Sequence, residues 1–462
     1  VLCIAGSMRV AIILPWVGGA MPPHLSFTCH TMIGGLGTAT LLLFHEVTQK
    51  QSVPEACLAR SNIEVKELQD GGIAALHVRR IAEATGSLSR VWNVDMQLKL
   101  ERLLQIAPAL LSEFKPSWGW VFGEYLYEYS HWTYTDVDIV FGRLDDWLGG
   151  VEFDRYDIQT WSFLGDAGRL FLRGQWALHK NEQRINLLWL NCGHLNEDLR
   201  INIEAKLQFY QDMLESKNSH RLKLLYRKRM TTAALPLDES GLHECSVHTG
   251  RFISAEGCYS CVVISSSLAA ALDLRVRISP LVLSDHSDVP VFWFRGSLVR
   301  CINHWNSKRG TCGEALRAWK HIRANYTMRA YRSPETPINA VFKRAIVIHD
   351  CFNMRWICRS ARRAALHALV DKLELGGQFE PLGQEKTVLL RPGKELLPKA
   401  TLVMTPMIKP SVSIQIIEAP LFHFRKWVDY GRWHPTSLDK NMPPVIFSVK
   451  SSGFVCLQRH RT

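Results

Sequence analysis

At 462 residues, with 47% apolar and 21% charged side chains, the chain is long enough for two or three hydrophobic cores and too apolar to be mainly disordered. Its formal net charge of +12 points to an anionic partner, but the basic residues are dispersed; the densest clusters, Lys223 to Arg229 and Arg359 to Arg363, are too short for a nucleic-acid tail. Twelve cysteines spread over so long a chain exclude a disulfide-stapled small domain and fix no compartment, and Cys258-Tyr259-Ser260-Cys261 has no second C-x-x-C to complete a zinc site.

From Val10 to His45 there is no charged side chain, but Pro15, Pro22, Pro23, His24 and His30 cut this stretch into pieces shorter than the roughly 20 apolar residues of a membrane span. Two buried strands around a turn-rich connection are expected instead. The first is Val10 to Leu14, ended by Pro15 and Gly18-Gly19, and the second is Thr40 to Phe44. A third strand, Ile63 to Leu68, precedes a helix over Gly71 to Thr85, in which Ile73, Leu76, Val78 and Ile81 recur at helical spacing. Met96, Leu100, Leu103, Leu104, Ala107 and Leu111 form the next helical stripe, kinked or divided by Pro108. Pro116 fits the first turn of a further helix, which would leave Glu113 and Lys115 in the loop before it.

The stretch Ser130-His131-Trp132-Thr133-Tyr134-Thr135-Asp136-Val137-Asp138-Ile139-Val140-Phe141-Gly142 carries two carboxylates inside an aromatic and β-branched run. On a strand they would share one face, and two close negative charges raise a pKa or bind a hard divalent cation. Because Val137, Ile139, Val140 and Phe141 read as buried, the pair is expected at the strand's end, where core gives way to cleft. Further on, Tyr156 to Phe163 and Arg169 to Asn181 read as strands and Leu199 to Leu214 as a helix. Ala255 to Ser260 reads as a loop opening onto a strand, Cys261 to Ile264. Beyond residue 270, Val291 to Phe294, Ala345 to His349, Val388 to Leu390 and Val412 to Ile417 are expected strands, and Glu314 to Ile322 a helix. One glycosylation sequon occurs, Asn325-Tyr326-Thr327.

A lone D-x-D is a weak motif, and its company adds the specificity. The blocks Glu113-Phe114-Lys115-Pro116 with Gly119, Tyr129-Ser130-His131-Trp132, Asp136 to Gly142, Arg169-Leu170-Phe171-Leu172-Arg173-Gly174-Gln175 and His179-Lys180-Asn181 resemble a little-characterised family of glycosyltransferase-like proteins with a GT-A, nucleotide-diphospho-sugar transferase fold. Val10 to Trp16 and Ala255 to Ser260 extend the likeness over about the first 265 residues. The resemblance implies an α/β fold with a mostly parallel central sheet flanked by helices. Residues 8–265 would form the nucleotide-sugar-binding catalytic domain. Residues 266–462 would form an α+β region that completes the site through the segment 420–427.

The activity so implied is transfer of a sugar from a nucleotide donor, UDP-linked by expectation, to an unidentified acceptor hydroxyl on a glycan, protein or lipid. Its alternative is a catalytically inactive binder of sugar nucleotides or glycans. Mn²⁺ or Mg²⁺ would be held by Asp136, Asp138 and His423, and the donor by Glu113, Lys115, Asp136, Arg169, Arg173 and Gln175. Arginines suit phosphate oxygens through their planar guanidinium groups. Glu256 would act as general base toward the acceptor. No nucleic-acid partner is expected. An anchor upstream of Val1 would place the protein in the Golgi or another endomembrane lumen; without one the expectation is the cytoplasm, and membrane association stays open.

Overall fold

The computed structural model describes residues 9–32, 37–46, 53–69, 71–86, 90–146, 148, 156–163, 175–196, 198–215, 255, 259, 262, 263, 274, 276–284, 291–294, 297–303, 379–382, 387–390, 401–404, 414–419, 421–423, 444–450 and 453–459. The expected strand Ala345 to His349, the helix Glu314 to Ile322, the sequon at Asn325 and the Cys258/Cys261 pair lie outside them.

The chain alternates strand and helix at its start. The strands β1 (Val10–Trp16), β2 (Ala39–Glu46) and β3 (Ile63–Leu68) pair side by side and parallel. Three helices intervene or follow: α1 (Leu25–Thr31), α2 (Glu55–Leu58) and α3 (Gly72–Thr85). The Val10 to His45 stretch thus holds a helix, α1, rather than a bare turn-rich connection. β1 also runs through Pro15 instead of ending there. Pro15 is tolerated because β4 (His131–Tyr134), the other neighbour of β1, stops opposite Ile13, so no ladder bond is needed on that side.

α4 (Arg90–Ile106) ends before Pro108, and the next ten residues, Pro108–Ser117, wind as a 3₁₀ helix running into α5 (Trp118–Val121). Glu113 and Lys115 therefore sit on a helix rather than in a loop, and Pro116 lies inside it. After β4 come β5 (Ile139–Phe141), β6 (Ile158–Phe163), β7 (Ala177–Lys180), α6 (Gln183–Asn186) and α7 (Leu199–Glu215). Val262 and Val263, expected in a strand, are helical, as are Ala255 and Tyr259, expected in a loop.

The remaining strands are β8 (Val276–Ser284), β9 (Val291–Phe294), β10 (Ser297–Asn303), β11 (Phe379–Leu382), β12 (Thr387–Leu390), β13 (Thr401–Met404), β14 (Ile414–Ala419), β15 (Leu421–His423), β16 (Pro444–Lys450) and β17 (Gly453–Arg459). β8 and β15 enter the main sheet, whose order is β3-β2-β1-β4-β7-β6-β8-β15-β5. Five of its eight pairings are parallel; β7 and β5 supply the three antiparallel ones. β13-β14-β10-β9-β16-β17 form a second, antiparallel sheet, and β11-β12 a hairpin. The result is an α/β fold with a mostly parallel central sheet.

Alternation along the inner strands divides the core. Ala11, Ile13, Leu42 and Phe44 face α3, α4, α5 and α7, whereas Ile12, Leu14, Leu41 and Leu43 face α1, α2 and Trp293 of β9. On the first face His77 is fully buried yet satisfied: its Nδ1–H donates to the Ile73 carbonyl at 2.7 Å, and its Nε2 accepts from the Trp118 indole at 3.2 Å. On the second face a disulfide joins Cys29 of α1 to Cys57 of α2. Cys192, in the core, is also disulfide-bonded. Among the described residues no helix is long and apolar enough to cross a membrane.

Only four residues, 135–138, link β4 to β5, although five inter-strand steps separate the two in the sheet. A flat sheet would set them about 24 Å apart, beyond the roughly 18 Å that this link spans when extended. The sheet must therefore bend back toward β4, and the sharp passage between its middle and its edge is the D-x-D segment.

Candidate functional site

Asp136 follows β4 without regular structure, and Val137 and Asp138 form a turn leading into β5. The two carboxylates thus do not share a strand face, as period-two alternation predicted; they flank a turn. Its position is informative. β1 has β2 on one side and β4 on the other, so the chain order reverses between β1 and β4, and Asp136 lies just beyond the carboxyl end of β4. A reversal of this kind opens a crevice at the strands' carboxyl ends, where ligands of open α/β sheets bind.

Lys115 reaches this point from the 3₁₀ helix. Its ammonium pairs with Asp136 Oδ1, 5.5 Å from the centroid of the Tyr134 ring and 6.0 Å from that of Trp118. Lys115 and Asp138 are buried, 4% and 3% exposed, while the Asp136 side chain keeps 27% of its surface. A cation and a carboxylate in so dry a setting interact more strongly than on the surface.

β15 pairs antiparallel with β5 so that His423 lies opposite Ile139, the residue after Asp138. The register thereby sets the backbone of His423 close to that of Asp138. The antiparallel register of β4 and β7, His131 opposite Lys180 and Trp132 opposite His179, runs toward Asp136 on one strand and Gln175 on the other. Both residues lie at the same end of the sheet. Arg169, Arg173 and Glu256 lie outside the described residues.

Glu113 points elsewhere. Two residues before Lys115 on a helix of three residues per turn, it projects from a different side. Its Oε2 accepts the Ala255 N–H at 2.8 Å and stands 3.4 Å from His194 Nε2 and 3.5 Å from Lys206 Nζ. Burial alone would raise its carboxyl. The Lys206 ammonium, the His194 imidazole and the Ala255 N–H outweigh this and hold it at about 2. Sequence reasoning missed His194 and Lys206, since nothing in their local pattern marks them as partners of Glu113. It also missed Thr28 of α1, which bonds the turn at Val137, and Thr31, which bonds Phe141 of β5.

These groups predict acid sensitivity. Burial lowers His77 to about 4 and His179 to about 3, so below pH 6.5 the unfolded chain takes up protons that the folded chain refuses. Glu113 acts in the same direction below its ordinary value of 4.5. Stability is therefore complete above pH 6.5. As pH falls it should decline by about 1.4 kcal/mol per pH unit for each histidine, until their folded values are reached. Urea unfolding at pH 7, 6 and 5 checks this; a flat profile would contradict it.

Asp136 and Asp138 offer hard oxygen ligands of the kind that Mg²⁺ and Mn²⁺ prefer, and the chemistry of this donor set fits such an ion. Among the described residues no group of three His, Cys, Asp or Glu side chains is arranged to hold a metal.

Comparison with known proteins finds a family model and solved structures to which the chain is similar. Residues 91–236 match a family of unknown function (DUF6625). Among solved structures, apo mouse xyloside xylosyltransferase 1 is similar over 56% of this chain and 83% of that one, at 10% identity and a TM-score of 0.23. No curated protein matches the sequence.

Proposed function

We propose that the protein is a metal-dependent glycosyltransferase with a GT-A-like fold, moving a sugar from a nucleotide donor, UDP-linked in the simplest case, to an acceptor hydroxyl. The observation that carries this reading is the turn holding Asp136 and Asp138 at the strand-order reversal, with the Lys115 ammonium on Asp136. The likeness of the blocks from Glu113 to Asn181 to glycosyltransferase-like proteins supports it.

A divalent ion at Asp136, Asp138 and His423 would offset the charge that develops as a nucleoside diphosphate departs. The chain's own residues divide the remaining tasks. Lys115 orients Asp136 and presents a buried positive charge to the diphosphate side of the crevice. Arg169, Arg173 and Gln175 bind the donor, and Glu256 takes the acceptor proton. Ala255, the residue before Glu256, is fixed in place by its N–H bond to Glu113. On this reading Glu113 supports the acceptor side through that bond instead of contacting the donor.

The test is a thermal-shift panel of nucleotide sugars with and without Mn²⁺. At a hundredfold excess over its Kd a bound donor stabilises by about 2.7 kcal/mol, so the matching nucleotide should raise the melting temperature by several degrees only when Mn²⁺ is present. If no nucleotide does so and Mn²⁺ changes nothing, the proposal fails. Binding without any turnover would select the inactive binder instead.

A further inference from the structure

Residues 135–138 lie outside every ladder of the sheet, so the direction of the two carboxylates depends on what else grips this backbone. One buried side chain bonds it directly, and two more from distant parts of the chain hold Phe141 of β5 just beyond it. Thr28 Oγ1 donates to the carbonyl of Val137, the residue between the two aspartates, at 2.8 Å. The Phe141 N–H donates to Thr31 Oγ1 at 3.1 Å. The Trp293 indole N–H donates to the Phe141 carbonyl at 3.0 Å. Thr28 and Thr31 are fully buried, one turn apart on α1, and the Thr31 hydroxyl donates in turn to the Thr28 carbonyl at 2.9 Å. Between them Cys29 is tied to Cys57, which anchors α1 to α2.

Resting on the reading of this turn as the metal site, we propose that Thr28 and Thr31 are positioning residues that hold the turn so that both carboxylates face the crevice, with the Cys29–Cys57 disulfide bracing the helix that carries them. Neither threonine touches the ion or the donor. They act on the Val137 carbonyl and the Phe141 amide, and through the backbone on the two carboxylates that flank or precede them. Groups behind metal ligands commonly change metal affinity by 10–100-fold when removed.

The experiment compares the parent with Thr28→Val, Thr31→Val, Thr28→Ser and a control, Thr160→Val. The control removes a comparably buried bond, Thr160 Oγ1 to the Trp176 carbonyl at 3.0 Å, that does not touch the turn. Mn²⁺ affinity is measured by titration calorimetry well below the melting temperatures, and amide exchange over 136–141 by mass spectrometry. Thr28→Val and Thr31→Val are expected to weaken Mn²⁺ by about tenfold and to speed exchange at 136–141. Thr28→Ser should bind like the parent, and Thr160→Val should melt lower with unchanged affinity. Equal losses in Thr28→Val and Thr160→Val, or parent-like affinity in both threonine-to-valine variants of α1, overturn the proposal. A parent that binds no Mn²⁺ defeats the metal-site reading alone. In that case exchange decides the positioning claim: faster exchange at 136–141 in the α1 variants supports it, and unchanged exchange overturns it.

Discussion

Asp138→Asn is expected to remove Mn²⁺-dependent nucleotide binding and to lower sugar transfer or donor hydrolysis by on the order of 10²–10³-fold, the equivalent of several kcal/mol of lost charge stabilisation. The carboxylate is 3% exposed in a turn beside β5, so the amide keeps its volume and removes only the negative charge. Folding should survive, because Val137 and Phe141 keep their bonds to Thr28, Thr31 and Trp293. Donor hydrolysis with excess Mn²⁺, together with near-ultraviolet circular dichroism, separates the two effects. A variant that turns over like the parent would remove Asp138 from the metal site.

Gly119→Ala should be the most damaging small substitution. An added Cβ would overlap the indole of Trp132, which cannot retreat: it is fully buried, stacked on His179 at 4.1 Å, and its N–H donates to Asn186 Oδ1 at 2.7 Å. Overpacking of this kind costs about 3 kcal/mol, and a fall in melting temperature of roughly 5–10 °C follows for a domain of this size. The strain reaches the site as well. Gly119 lies on α5 directly after the helix carrying Lys115, and Trp132 lies on β4 ahead of Asp136. A variant that melts with the parent would show that the indole can move.

Elements with a strong period were legible. Ile63–Leu68 and Val291–Phe294 are strands with the expected bounds, and α3 and α7 differ from expectation by one residue each. Misreadings arose where local pattern and tertiary context conflict. Val137 is apolar and adjoins a strand, so the pattern extended β5 backward through it, whereas the short link to β4 bends it into a turn. Pro108 divides the helical stripe as expected, α4 ending at Ile106, but Pro116, expected to open a fresh helix, lies inside the 3₁₀ helix Pro108–Ser117.

The sequence by itself determined the alternation of strands and helices, the carboxylate pair and the nearby lysine, because these depend on residue type and on spacing within one element. Only the tertiary structure decided which side chains meet. Lys115 finds Asp136, Glu113 turns to His194 and Lys206, Thr28 grips Val137, and Cys29 pairs with Cys57. Each of these contacts spans residues far apart in the chain and depends on sheet order and bending. Local periodicity encodes neither, since they arise from how separate apolar faces share one core.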